Sequence, residues 1–306
     1  PTVITSTTLL DGNSLNYFVL TGLANRKTIH CNENGYYSIY QSDRYGFNNP
    51  DREWDKDKIE FLLVGGAITH GSCVNEPDTI SGNLRKLNNN KNGVLNIGIG
   101  MSESLSEYAR LKEYLPNKKI KRVLWLYYQG DLKNLRRELN SRILANYLND
   151  KNFTQNLKEK QNQIDEKLKS NIKEREKKSI YIKSDFLRLK HVRILIESRY
   201  TKPLLQTQFK EILKLTKELS HQNNSNFYFF YLPGYARYKT NYVDNDYQKV
   251  KYIVEELAIP FIDIHKEVFE KEKNPLKFFP FEMSGHYNVE GYRKVAEAIY
   301  KLTSSK

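Results

Sequence analysis

Apolar residues cluster in five short runs that are continuous rather than alternating, and turn or helix signals bound each run. The runs span residues 59–65, 93–99, 120–128, 226–232 and 259–264. Strands covered on both faces of a parallel sheet show this continuous pattern, because neither face meets water. The pattern therefore predicts five buried strands in one parallel sheet.

Segments with helical periodicity alternate with these runs. They cover residues 78–87, 102–115, 207–220 and 247–257. A final helix follows Asn288 as its cap, and its apolar face is formed by Tyr292, Val295, Ala296 and Ile299. Strand, helix and strand at this spacing favour right-handed βαβ units. We predict an α/β fold with a doubly wound sheet covered by helices on both faces.

Two segments stand outside this repeat. Residues 1–57 contain little periodic pattern and end in a turn-rich stretch, so we expect an N-terminal extension that wraps the domain. Residues 133–200 have a helical pattern and lie between the third and fourth strands, so we expect a helical insertion or lid. The α/β domain then covers residues 58–306.

The composition, with 39% hydrophobic and 28% charged residues, is that of a globular protein, and no apolar run is long enough to span a membrane. The net charge is +13, and residues 133–178 hold 13 Lys or Arg against 7 Asp or Glu. Interleaved charges of both signs are typical of a solvated helical face. An anionic glycan or a membrane surface stays open as a partner. We expect no nucleic acid, because no aromatic–basic RNA-binding motif is present.

The two cysteines, Cys31 and Cys73, are compatible with two buried thiols or with one disulfide. A location outside the cytoplasm would favour the bridge, because oxidising compartments preserve disulfides. The sequence begins at Pro1 and not at an initiator Met. We expect the protein to reach a membrane only through an N-terminal signal or anchor missing from this sequence.

Candidate site residues lie in loops that follow the predicted strands, where loops and helix N-termini of an open parallel sheet converge. The loops are GGAITHG at residues 65–71, NIGIGM at residues 96–101, Gly130-Asp131, and SGHYNVEG at residues 284–291. Metal binding is not predicted, because the six histidines show no HxH or HExxH spacing. A Walker loop and a complete dinucleotide-binding turn are missing as well.

These four motifs, in this order, resemble the SGNH hydrolases, also called GDSL-like hydrolases. The family's Gly-Asp-Ser-Phe-Thr-x-Gly block is similar to residues 65–71, which places the serine position at Ala67. An Asn-x-Gly-x-x-Gly turn is similar to residues 96–101, and Gly-Asn-Asp is similar to Gly130-Asp131 with one residue missing. The final His and Asn of the family match His286 and Asn288.

The resemblance implies a flavodoxin-like three-layer α/β/α fold with a five-stranded parallel sheet, and a serine esterase or O-acetyltransferase that needs no cofactor. In this chemistry a serine attacks the ester carbonyl, a histidine, here His286, takes its proton, and backbone amides hold the oxyanion. The oxyanion or binding positions implied by the motifs are Gly66, Gly100, Met101, Gly130 and Asp131. SDRYGFNNP, at residues 42–50, resembles members from bacterial surface-polysaccharide systems. This implies an acylated polysaccharide or oligosaccharide partner and an extracytoplasmic location.

The chain departs from the family at the centre of the site. Ala67 has no hydroxyl, Gly66 replaces the aspartate before the serine, and Asp131 replaces an asparagine. Met101 stands where glycine is usual, although Gly100 could take its place with a shift of one residue.

The group that orients the histidine is also changed. Met283 occupies the position where the family often has an aspartate, so either Glu282 or a backbone carbonyl would orient His286. Asp263 and His265, at the end of the fifth strand, form an alternative acid–histidine pair.

Three functional hypotheses remain. The first is an esterase or O-acetyltransferase for acyl, in particular acetyl, esters of a cell-envelope or secreted polysaccharide, inactive here because Ala67 replaces the nucleophile. The second is a natural pseudoenzyme that binds glycans or serves in assembly. The third is a basic nucleic-acid-binding or structural interaction protein.

Overall fold

The computed structural model describes residues 17–178, 202–239, 242–243 and 246–304 of the 306-residue chain. A short antiparallel hairpin comes first, formed by β1 (Lys27–Ile29) and β2 (Ile39–Gln41). The central sheet contains five parallel strands: β3 (Lys58–Gly65), β4 (Gly93–Asn96), β5 (Lys119–Tyr128), β6 (Asn226–Leu232) and β7 (Phe261–Asp263). Their spatial order is β4-β3-β5-β6-β7, which is the flavodoxin-like order.

The sheet confirms the five predicted strands, with differences at two ends. β4 ends at Asn96, three residues before the predicted end, and β7 is limited to Phe261–Asp263. The chain beyond β4 still follows β3 for a few residues, because the amide of Ile97 donates to the carbonyl of Leu63 at 2.9 Å. The strand ends are therefore where the loops of the site leave the sheet.

Nine α-helices occur in the described ranges. They are α1 (Ala67–His70), α2 (Ile80–Leu87), α3 (Ser104–Tyr114), α4 (Asp131–Leu139), α5 (Arg142–Asn149), α6 (Gln161–Lys178), α7 (Lys202–Gln222), α8 (Tyr247–Glu256) and α9 (Val289–Ser304). None of the helices in these ranges is both long and apolar enough to cross a membrane.

Two hydrophobic clusters cover the two faces of the sheet. Along β3, Leu62 and Val64 point into a cluster that includes residues of α3 and α7, whereas Phe61 and Leu63 point into a cluster that includes residues of α2 and α9. Side chains of a strand alternate between faces, so a strand that is apolar throughout needs cover on both sides. The predicted three-layer α/β/α fold is confirmed.

The last helix begins as its sequence predicts. The Asn288 side-chain oxygen accepts a hydrogen bond from the amide of Gly291 at 2.9 Å, which satisfies one amide of the first turn of α9. Tyr292, Val295 and Ile299 are fully buried against the sheet. This cap, two residues after His286, fixes the start of α9 at Val289.

The predicted insertion contains α5 and α6, together with most of α4, and residues 179–200 of it lie outside the described ranges. Leu144, Leu157, Ile164 and Leu168 of this segment are buried in the same cluster as α3 and α7. The described part of the insertion therefore packs on one face of the α/β domain, and its role as a lid stays a prediction.

Candidate active site

A tight turn carries the chain from β3 into α1. Gly65 has φ +155°, and a Cβ atom there would lie 2.7 Å from the carbonyl oxygen of Leu126, so only glycine fits. Gly71, with φ +83°, ends α1 after a single turn. The turn therefore places Ala67 at the carboxyl end of β3, in the part of a parallel sheet where ligands bind.

The loop after β4 lies against this turn. A Cβ atom at Gly100 would lie 3.8 Å from the Cβ of Ala67, so the two positions are neighbours. Met101 follows in the left-handed region with φ +61°, and its side chain is exposed. The structure thus brings Ala67 and Gly100 together, as the motif order implies.

Buried polar side chains that the sequence analysis did not identify hold both loops. Asn49 accepts a hydrogen bond from the amide of Asn96 at 2.9 Å, and the side-chain amide of Asn96 donates to the carbonyl of Thr69 at 2.7 Å. The buried guanidinium of Arg110 donates to the carbonyl of Gly65 at 3.3 Å. Asn49, in the stretch SDRYGFNNP, therefore holds the loop after β4 in place through its hydrogen bond with Asn96.

Glu33 is hydrogen-bonded to His286. The His286 amide donates to Glu33 Oε2 at 2.7 Å, and His286 Nδ1 lies 3.1 Å from both carboxylate oxygens. Partial burial tends to raise the pKa of Glu33, but the hydrogen bonds and charge of His286 outweigh it and lower that pKa. A carboxylate on Nδ1 fixes the tautomer with the proton on Nδ1, which leaves Nε2 as the basic nitrogen.

Glu282 and Asp263, the acids considered from the sequence, have other partners. The Glu282 carboxylate accepts a hydrogen bond from the Asn274 side chain at 2.9 Å. Asp263 accepts from the hydroxyl of Tyr247 at 2.7 Å and from the backbone amide of His265 at 3.0 Å. Among the described residues, Glu33 is therefore the acid that contacts His286.

A disulfide joins Cys31 to Cys73, with the Cα atoms 5.0 Å apart. It ties the loop that carries Glu33 to the segment that follows α1. Cys73 Sγ lies 3.4 Å from His286 Nδ1, and the side chain of Asn34 donates to the carbonyl of Cys73 at 2.9 Å. The bridge thus explains how an acid 253 residues away reaches His286.

Four carboxyl groups lie close to one another near the turn that carries Ala67. We call them the acidic cluster (Glu103, Glu107, Asp131 and Glu138). Removal from water and then neighbouring carboxylates raise the pKa of Glu103 to about 9, and removal from water and then Glu138 raise that of Asp131 to about 8. Glu138 accepts hydrogen bonds from three backbone amides at the start of α3, the shortest at 2.9 Å. Asp131 turns back and accepts from the amide of Tyr128 at 2.8 Å.

Glu107 is the member of the acidic cluster nearest to the turn. It is fully buried, and its carboxylate oxygens accept no hydrogen bond from the described residues. A Cβ atom at Gly66 would lie 3.6 Å from Glu107 Oε1. Burial first, and then Asp131 and the other carboxylates, raise the pKa of the Glu107 carboxyl above its ordinary value.

Gly130 lies at the start of α4 with φ +99°. A Cβ atom there would meet no described atom within 4 Å, so the position is open. The site accordingly contains a turn without a hydroxyl, a glycine loop beside it and a histidine paired with a carboxylate.

Comparison with solved structures found 28 chains similar to this one. They include a member of the lipolytic protein G-D-S-L family from Veillonella parvula DSM 2008, with 12% identity, a TM-score of 0.47, and coverage of 81% of this chain and 100% of that chain. A carbohydrate acetylesterase family member from Sinorhizobium meliloti has 10% identity, a TM-score of 0.43, and coverage of 81% and 98%. An acetyl xylan esterase has 11% identity, a TM-score of 0.42, and coverage of 80% and 99%.

At these identities the similarity concerns the fold. No family model matches the sequence, and no curated protein matches it. What the site does must therefore be argued from its own residues.

Proposed function

We propose that this chain has a site built for acyl, in particular acetyl, esters of a cell-envelope or secreted polysaccharide, and that it binds such esters without cleaving them. The site has the plan of a serine esterase or O-acetyltransferase. One observation carries the proposal: the turn at the carboxyl end of β3 ends in the methyl group of Ala67, while the His286–Glu33 pair is complete. Without a hydroxyl at this turn, no acyl-enzyme can form there.

The remaining groups suit a neutral ester. The backbone amides of Ala67 and the Gly100 loop are donors for a carbonyl oxygen, and they do not depend on side chains. Asp131 is largely protonated at neutral pH, because its pKa is raised to about 8, so it does not repel that oxygen as a carboxylate would. The binding functions of the site therefore survive the loss of the nucleophile.

Exposed aromatic residues on and next to the loop that carries Glu33 support a saccharide as the alcohol part of the ester. Phe281 is 68% exposed, and its Cζ atom would lie 3.1 Å from a Cβ atom at Gly35, two residues after Glu33. Phe281 has φ +52°, a conformation that costs a non-glycine residue energy and often marks a functional position. Tyr37 is 65% exposed. Flat exposed rings offer surfaces on which the C–H faces of sugars stack.

An Ala67→Ser variant tests the reaction class. We expect it to hydrolyse p-nitrophenyl acetate slowly, whereas the unaltered chain does not. Adding His286→Ala should lower the rate by about 100-fold or more, because general-base catalysis contributes about 10²–10⁴-fold. Adding His265→Ala instead, which removes a histidine paired with Tyr238, should leave the rate unchanged. A folded Ala67→Ser variant without turnover would contradict the proposed site.

Binding to acetylated xylo-oligosaccharides tests the substrate class in the unaltered chain. We expect the acetylated form to bind more tightly than the same oligosaccharide after chemical deacetylation, as measured by calorimetry. Phe281→Ala should weaken binding by roughly 3- to 10-fold, the value of one aromatic contact. Tyr252→Ala, which removes a 66% exposed ring from α8, is the matched control and should have no effect. Equal binding of both forms would contradict the ester proposal.

A further inference from the structure

We infer that the chain, once its disulfide is reduced, binds one Zn²⁺ ion through Cys31, Cys73, Glu33 and His286. This site does not depend on the proposed esterase-like function. It could not be predicted from the sequence, because the four residues come from three separate segments and show none of the spacings typical of zinc sites. The fold alone brings them together.

The ligand atoms of Cys73, Glu33 and His286 already lie close to the spacing that a zinc ion requires, and Cys31 Sγ lies near those of Cys73 and Glu33. Cys73 Sγ is 3.4 Å from His286 Nδ1, and each Glu33 oxygen is 3.1 Å from the same nitrogen. Both sulfur atoms and one Glu33 oxygen lie within 4.8 Å of one another. In a tetrahedral zinc site with bonds of about 2.0–2.3 Å, neighbouring ligand atoms are roughly 3.3–3.8 Å apart. Two thiolates, an imidazole and a carboxylate are also ligands that Zn²⁺ prefers.

Reduction opens the site. A phosphine reductant gives two electrons to the Cys31–Cys73 bond and becomes a phosphine oxide with an oxygen atom from water, and the two protons of that water complete the two thiols. Zn²⁺ then displaces the two thiol protons and binds the thiolates, and the proton on His286 Nδ1 moves to Nε2, so that Nδ1 can bind the metal. The Cα atoms are 5.0 Å apart, so rotation of the two side chains separates the sulfur atoms to about 3.8 Å. The oxidised chain lacks thiolates and therefore lacks the site.

Neighbouring groups hold the ligands in place. The His286 amide donates to Glu33 Oε2 at 2.7 Å, which fixes the carboxylate while Oε1 stays available to a metal. Asn34 donates to the carbonyl of Cys73, and Cys73 itself has φ +70°, a conformation that non-glycine residues rarely keep without a constraint. Partners of this kind orient metal ligands and raise affinity.

The test compares one protein in two redox states. The full chain is titrated with ZnCl₂ in competition with a chromophoric chelator, after oxidation or after reduction with tris(2-carboxyethyl)phosphine. We expect one zinc ion per reduced chain and none per oxidised chain. Co²⁺ bound to the reduced chain should give sulfur-to-metal charge-transfer bands and the intense visible bands of tetrahedral cobalt. No binding by the reduced, folded chain, or equal binding in both states, would overturn the inference.

Variants distinguish the four-ligand site from zinc binding by the two cysteine thiols alone. Glu33→Gln and His286→Ala should each weaken zinc binding by at least about 10-fold, because replacing a residue that only hydrogen-bonds to a metal ligand already has an effect of this size. His221→Ala, which removes an exposed histidine near the end of α7, is the matched control and should not weaken it. Zinc binding that neither Glu33→Gln nor His286→Ala changes would overturn the four-ligand site. Circular dichroism of each reduced variant shows whether it is folded.

Discussion

The two halves of the candidate site differ in how completely their polar groups are paired. In the half built from the N-terminal loop and the segment before α9, Glu33 and His286 contact each other, and a disulfide fixes the loop that carries Glu33. In the half built on the strand ends, Ala67 lacks a hydroxyl and the buried carboxylate of Glu107 has no hydrogen-bond donor among the described residues. The acid–base half is complete, and the nucleophile half is not.

Position 66, next to Ala67, lies close to the acidic cluster. An aspartate at position 66 would begin with a Cβ atom 3.6 Å from Glu107 Oε1, so it would bring a second carboxyl group towards a buried one. Two carboxylates in a dry site raise each other's pKa and destabilise the fold when both are charged. Gly66 avoids this repulsion, because it brings no carboxyl group to the buried Glu107.

The largest expected effect comes from breaking the complete half. In the Ala67→Ser background, Glu33→Gln should lower esterase activity by about 100-fold or more, because the neutral amide does not stabilise the imidazolium that forms at His286. Stopped-assay rates with p-nitrophenyl acetate measure the loss, with circular dichroism as the check on folding.

Glu282→Gln in the same background is the matched control, since its carboxylate is bonded to Asn274 instead. It should keep the activity of the parent variant. A loss with Glu282→Gln but not with Glu33→Gln would reverse the assignment of the orienting acid.

The strands and their order on the chain could be predicted because a strand buried on both faces is a continuous apolar run in the sequence, as in residues 59–65. The Asn288 cap was predictable for the same reason, since a cap is read from neighbouring residues. Ala67, Gly100 and His286 were found through motifs at strand ends.

Glu33 could not be found in this way, because its partner is 253 residues distant and no local periodicity connects them. The cysteines were the available signal: a bridge from Cys31 to Cys73 places residue 33 beside the turn. The roles of Asn49, Glu103, Glu107 and Glu138 were missed because they arise from packing between separate loops. Long-range polar contacts of this kind leave no pattern in one sequence.

Because the half built on the strand ends contains Glu107, we expect the free energy of unfolding to depend on pH in an unusual way. The pKa of Glu107 is raised above its ordinary value of 4.5, so the folded chain keeps a proton that the unfolded chain releases as the pH rises above that value. Folding stability therefore falls with rising pH above about 4.5, by at most about 1.4 kcal/mol per pH unit for one such group.

Glu107→Gln removes this contribution while keeping the shape of the side chain. We expect the free energy of unfolding of the variant, relative to that of the unaltered chain, to increase from pH 5 to pH 8 by at most about 1.4 kcal/mol per pH unit, because glutamine has no proton to release. Urea denaturation at both pH values measures it, and Glu255→Gln, an exposed glutamate of α8, should show no such gain. An equal difference at pH 5 and pH 8 would mean that Glu107 is ionised in the folded chain, and the contrast between the two halves would then rest on the missing hydroxyl alone.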